Sequence, residues 1–332
     1  MSGFYNNFDK IIKKRLIAST TIFAIAMILS LFIHKFEIID QYIQLVMMYV
    51  GINIILTLSL NLINGYMGEF SIGHAGFMAV GAYVSSILSV RFFNNDIGSV
   101  IFPFVVLTGG ICASVVGLIV AVPSFRVRGD YLAIVTLSFN MIVKSGLENI
   151  DSAGGARGFL GMSRLTTLPW VVLWTFITVW MIRNFVNSSY GRGVTSIRED
   201  ETASSAMTVN TQGIKVRAFM LSSFFAGIAG GLYAHLIQFI SPRSFDLIKS
   251  TEMLIMVYLG GIGSIGGSIL GASVYTILLE FLRPLGIWRM VLMPMLLVVL
   301  MIFRPNGIMG LREFSFFKPA IDRFLKNNTN AK

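Results

Sequence analysis

The sequence predicts an all-α integral membrane protein, a polytopic helix bundle of about ten spans with broken or re-entrant helices and both termini cytoplasmic. Three observations predict it. The 332 residues are 55% hydrophobic and 13% charged, with mean hydropathy +0.76, whereas a soluble domain carries about 25% charged residues. Apolar runs approaching the roughly 20 residues that cross a hydrocarbon core recur along the chain. The basic residues, unlike the acidic ones, divide unevenly between alternate loops. A chain so poor in charge covers a lipid-facing surface, and its length leaves no block for a separate soluble catalytic domain.

Taken in order, the first span is 16–33, behind Lys13, Lys14 and Arg15. It is longer than the roughly 7–15 apolar residues of a cleaved signal peptide, and no cleavage site follows at His34–Glu37. Further spans fall at 42–63, 70–90, 98–122, 131–147, 168–186, 216–240, 251–260, 265–282 and 285–303. The eighth is short and runs into a glycine-rich stretch from Gly260 to Gly267, so it reads with the ninth as a broken hairpin. Gly227 and Gly231, and Gly263, Gly267 and Gly271, have the small-residue spacing that lets helix backbones approach closely in lipid.

With residues 1–15 placed in the cytoplasm, inside segments hold 17 of the 26 basic residues, among them Arg126, Arg183, Arg192, Arg198, Lys215 and Arg217, while the 16 acidic residues divide equally. That bias is what the positive-inside rule expects. It accounts for the net charge of +10 without a nucleic-acid partner. The basic tail 304–332 is expected inside, with disorder near Asn327–Asn330. The single cysteine, Cys112, has no partner for a disulfide or a metal site.

The most specific loop lies inside, at roughly 187–215. Ser196 and Glu199 have capping-box spacing. Glu199, Asp200 and Glu201 suit the first turn of a helix, and Gly213 suits its end. A single short helix near 197–210 is therefore expected outside the membrane, with Ala203, Ala206, Met207 and Asn210 on one stripe. Such a stripe suits a groove on a partner protein. It lacks the aromatic and leucine anchors of an interfacial helix.

Ile197-Arg198-Glu199-Asp200-Glu201, followed by Ala206-Met207 and Asn210, resembles the coupling segment of LivH/LivM-type permeases, the membrane subunits of branched-chain amino acid ABC transporters. The stretches Leu60–Phe77 and Tyr258–Gly271 resemble two further signatures of that family. The likeness runs from about 42 to 310, and the additional N-terminal span favours the LivM type. Thr208 stands where relatives usually have glycine, and Ala153 and Arg157 also depart from the pattern. The resemblance implies a permease subunit of a bacterial cell membrane importer for leucine, isoleucine or valine. It implies a second, LivH-type permease, two LivG/LivF-type ATPases that bind ATP and Mg, and an extracytoplasmic amino-acid-binding protein. In it, Arg198, Glu199, Asp200, Glu201, Ala203, Ala206, Met207 and Asn210 engage the ATPase.

Polar residues inside the apolar runs are candidates for the pathway: Asn61, Asn64, Glu69, Ser71 and His74 around the second and third spans, and Thr136 and Asn140 in the fifth. Ionisable groups at membrane depth face a cavity or a partner helix. Two readings stand, helix–helix hydrogen bonding and a glycine-thinned cavity near Gly65, Gly68, Gly73 and Gly76, where a helix end would take a substrate carboxylate. The Gly154–Gly158 loop is either a contact for a delivering protein or a flexible connection.

Other chemistry finds no support. Gly261–Gly266 matches GxGxxG without the strand–helix context a dinucleotide needs, and no Walker A sequence occurs. The histidines, His34, His74 and His235, are too widely spaced for a zinc pattern. No enzyme activity and no cofactor of its own is expected for this chain. Urea and short amides are rival substrates. An ion-driven secondary transporter would carry midplane carboxylates, which the spans lack, and a scaffold would leave the acidic-capped loop unexplained.

Overall fold

The computed structural model describes residues 2–36, 39–92, 98–126, 131–303, 307–310 and 313–314. The expected disorder near Asn327–Asn330 lies outside them. The described residues form twelve α-helices: α1 (Ser2–Phe36), α2 (Gln41–Asn61), α3 (His74–Phe92), α4 (Gly98–Ser124), α5 (Tyr131–Asn149), α6 (Leu168–Asn187), α7 (Ser189–Glu199), α8 (Glu201–Ala206), α9 (Thr211–Ile237), α10 (Leu247–Gly260), α11 (Ile265–Phe281) and α12 (Trp288–Phe303). Each sequence-predicted span coincides with a helix. Among the described residues, four stretches are long and apolar enough to cross a membrane by themselves: Gln41–Met67, Ile101–Ser124, Leu168–Asn187 and Thr211–Ile237.

α2 and α9 form the buried centre, and α9 packs most extensively on α3 and α4. Glycine makes that approach possible. A Cβ at Gly81 would overlap the backbone of Gly227, and one at Gly109 would come 2.8 Å from the Gly81 carbonyl. Three helices thus meet backbone to backbone, the contact that replaces hydrophobic driving force in lipid. The exposed side of α1, α4, α11 and α12 is apolar, with Ile25, Phe104, Ile119, Ile277 and Ile302 outward, as a lipid-facing surface requires. The chain is a multi-pass membrane protein.

The connections sort onto two faces. On one, Phe159–Leu160 pairs antiparallel with Phe239–Ile240 (β1 and β2), Lys144 bonds Asp246 at 2.7 Å, and Arg283 donates to the Tyr42 hydroxyl at 2.7 Å. The Gly154–Gly158 loop belongs here. It is two tight turns with Ala153 and Gly155 buried. On the opposite face lie the end of α2, the α7–α8 segment, the α10–α11 break and the returning residues 307–310 and 313–314.

Candidate functional site

The candidate site is built around two interruptions. α2 widens into a π-helical turn over Leu62–Met67 and stops at Gly68, whose φ of +77° is left-handed. α10 and α11 are separated by Gly261–Ser264, with φ of +131° at Gly261 and +74° at Gly263. Glycine tolerates these angles without a Cβ clash. The broken hairpin expected for the eighth and ninth spans is therefore present, with α10 starting earlier, at Leu247.

Asn61 joins the two interruptions. Its amide nitrogen donates to the Ser264 carbonyl at 3.0 Å and to Ser268 Oγ at 2.6 Å, and its Oδ1 accepts from Gly263 N at 2.9 Å. A Cβ at Gly65 would overlap Asn61 Oδ1 and Gly263 N, so only glycine fits. Glu313, from the returning tail, caps the start of α11: its carboxylate accepts from Ile265 N at 2.8 Å and Gly266 N at 2.9 Å. Ile308 N and Met309 N bond the last carbonyls of α10 at 2.8 and 3.1 Å.

The α7–α8 segment seats on this joint through two cations. Arg198 Nη1 donates to the Gly65 carbonyl at 3.1 Å and lies against Gly68 and Gly263. Lys215, buried at the start of α9, bonds Glu69 at 2.6 Å and Glu201 at 2.9 Å. Lys215 thus ties the segment after the α2 break to the first turn of α8.

The single helix expected over 197–210 is replaced by two. Asp200 leaves the helical region (φ −160°, ψ 111°), and its carboxylate caps α8 by accepting from Ala203 N at 2.9 Å. Ser196 is interior to α7 and its hydroxyl bonds the Gly193 carbonyl, so no capping box forms with Glu199. Thr208, at φ +63°, ends α8 in a left-handed turn. Gly213 does not end the helix. It lies in the first turn of α9, where its N–H bonds Asn210 Oδ1 at 2.9 Å. Asp200 and Asn210 out-compete the expected cap because their short carbonyl-bearing side chains reach the orphan N–H groups of a helix start. Ala203, Ala206, Met207 and Asn210 do not share one helix, yet all four are exposed, Met207 at 77%.

The candidate pathway residues divide. Asn61 and Glu69 are joint residues, and Asn64 bonds the Ser71 backbone. Thr136 Oγ1 accepts from Ile72 N at 3.2 Å and so ties α5 to the approach to α3. Ser71 Oγ, His74 Nδ1 and the Asn140 amide are buried without a hydrogen-bond partner. His74 Nε2 lies 2.8 Å from Ser59 Oγ, whose proton goes to the Leu56 carbonyl. Helix packing accounts for the first group, and only the second keeps polar capacity unused. Lys215 and Glu313 were missed in the sequence. Both sit next to charged or glycine-rich stretches, but their partners lie far off in the chain.

The described residues thus form a helical membrane bundle with two interrupted helices and an exposed, capped segment. The profile of the family described as branched-chain amino acid transport system / permease component matches residues 42–303, and the chain belongs to that family. It is 32% identical over 293 residues to the high-affinity branched-chain amino acid transport system permease protein LivM of Escherichia coli K12, covering 78% of this chain and 68% of the relative. A probable LivM of Methanocaldococcus jannaschii is 25% identical over 80% of this chain and 92% of its own length. The Escherichia coli K12 LivH permease is 21% identical over 78% and 91%. No solved structure matches the chain.

Proposed function

We propose that this chain is the LivM-type permease subunit of an ABC importer for leucine, isoleucine and valine, working beside a LivH-type permease. Two LivG/LivF-type ATPases bind ATP and Mg and dock on the α7–α8 segment, and an extracytoplasmic binding protein delivers the amino acid to the opposite face. Family membership and the relatives' names as branched-chain amino acid permeases support the class. The excess of basic residues supports a cytoplasmic position for the α7–α8 face and for both termini.

One observation carries the coupling. An exposed, Asp200-capped rod is bonded through Arg198 and Lys215 to the α2 interruption, which Asn61 joins to the α10–α11 break. Movement of the rod on ATP closure is therefore delivered to the only described places where spanning helices are already broken, and a ligand-biased equilibrium between inward- and outward-open states follows. Arg198→Ala and Glu201→Ala are expected to insert normally and to retain ATPase recovery on co-purification, but to lose ATP-driven leucine uptake at least ten-fold in vesicles. Unchanged uptake in both variants removes the coupling role, and a chain that co-purifies with no ATPase removes the importer reading.

A further inference from the structure

On the face opposite the rod, a cavity of about 450 Å³ opens between α2, α10, α11 and α12. That volume lies within the range of about 300–1,000 Å³ usual for small-molecule sites. Four charged side chains line it: Lys249 and Glu252, one turn apart on α10 and paired at 2.8 Å, Glu280, which pairs with Arg283 at 3.1 Å, and Arg289. Beside them, Tyr275 is 1% exposed, and its buried hydroxyl has no hydrogen-bond partner. The Asn53 amide donates to Thr276 at 2.8 Å across the same cavity. Ile255, Leu279 and Met293 supply an apolar wall.

An ion pair at helical spacing adds little stability where it is exposed, and withdrawing both charges from water is costly. A buried hydroxyl without a partner adds to that cost. The two features together describe a site completed by a ligand. The lining carries both signs, Lys249 and Arg289 against Glu252 and Glu280, and a ligand with one charge would answer only one of them. A zwitterion meets both: its carboxylate takes Lys249 and its ammonium takes Glu252, with no net charge buried. Tyr275 Oη then gains a partner, and a branched aliphatic side chain has Ile255, Leu279 and Met293 to bury against.

We infer that this cavity is a binding site for a zwitterionic α-amino acid with an aliphatic side chain, in the outer half of the bundle. The assignment rests on the permease reading for its orientation and names the substrate position within it. Neither Lys249 nor Tyr275 belongs to the candidate residues legible in the sequence.

The test uses the membrane complex recovered through the full-length chain and reconstituted in lipid nanodiscs. Thermal unfolding is followed with L-leucine, isoamylamine and 4-methylpentanoate, which share the side chain but differ in charge. Leucine is expected to raise Tm with saturable dose dependence, and the two single-charge analogues to have no effect. Lys249→Met and Glu252→Gln are expected to weaken leucine at least ten-fold. Leu279→Trp narrows the apolar wall without touching either charge and is expected to weaken leucine while sparing alanine, which keeps the test decisive should a charge variant fold poorly. Absence of a leucine shift, equal shifts from all three ligands, or urea acting in place of leucine overturns the site. ATP-driven uptake with unchanged leucine KM in Lys249→Met and Glu252→Gln also overturns it, and leaves the permease reading intact.

Discussion

Thr208 holds a left-handed backbone at φ +63°, which costs a β-branched residue roughly 1–2 kcal/mol. Glycine removes that strain but loses more entropy on folding, by roughly 0.5–1 kcal/mol. Thr208→Gly is therefore expected to be neutral or to stabilise by up to about 1 kcal/mol, read as thermal unfolding in detergent, and a clear fall in Tm counts against the turn. Lys215 is the opposite case. Lys215→Met strands Glu69, which is only 21% exposed, and is expected to cost about 1–3 kcal/mol. Glu201 is 53% exposed, so Glu201→Gln is expected to leave Tm nearly unchanged while weakening uptake. Equal losses of stability in the two variants would show that Lys215 does not rank its partners this way.

At the scale of elements, the spans were legible because a long apolar run in lipid has one way to satisfy its backbone, as a helix. The interruptions were legible as glycine clusters around Gly65–Gly76 and Gly260–Gly267. That the two clusters touch was not, because Asn61 reaches across 202 residues of sequence to Gly263 N. Asn61→Leu removes three hydrogen bonds and leaves Gly263 N and Ser264 O to find other partners. It is expected to destabilise by about 2–4 kcal/mol, checked by the temperature at which the purified protein unfolds. The helix near 197–210 was misread for a local reason. Ser196-Glu199 and Asp200-Ala203 offer competing starts, and only the folded geometry around Arg198 and Lys215 chooses the second.

For the whole molecule, the two faces predict a labelling pattern. In a Cys112→Ser background, Ala206→Cys is expected to react with a membrane-impermeant maleimide only from the cytoplasmic side, and Leu160→Cys, which replaces a 66% exposed residue, only from outside. The reverse pattern would invert the assigned orientation. The face that carries β1 and β2 also holds an acid-sensitive tie. The hydrogen bond from Lys144, with that from Leu247 N, holds the Asp246 carboxyl below its ordinary range. A depressed carboxyl stabilises above its unfolded pKa and loses that contribution as pH falls through the folded one. The link from α5 to the start of α10 is thus intact at neutral pH and weakens below about pH 4. Asp246→Asn is expected to lower Tm slightly at pH 7 and to flatten its decline between neutral and acid pH.

The amino-acid sequence alone determined that the chain lives in lipid, where its spanning helices run, which loops carry the positive charge, and which family it resembles. These are properties of composition and of short-range periodicity, and a single stretch of chain expresses them fully. Tertiary structure decided which polar side chains are mortar between helices, such as Asn61 and Glu69, and which keep unused capacity, such as His74, Asn140 and Tyr275. It also brought Lys249 and Glu252 to the wall of a cavity. A hydrogen bond is satisfied or left open by atoms that distant segments bring within about 3 Å, and no local pattern encodes that encounter.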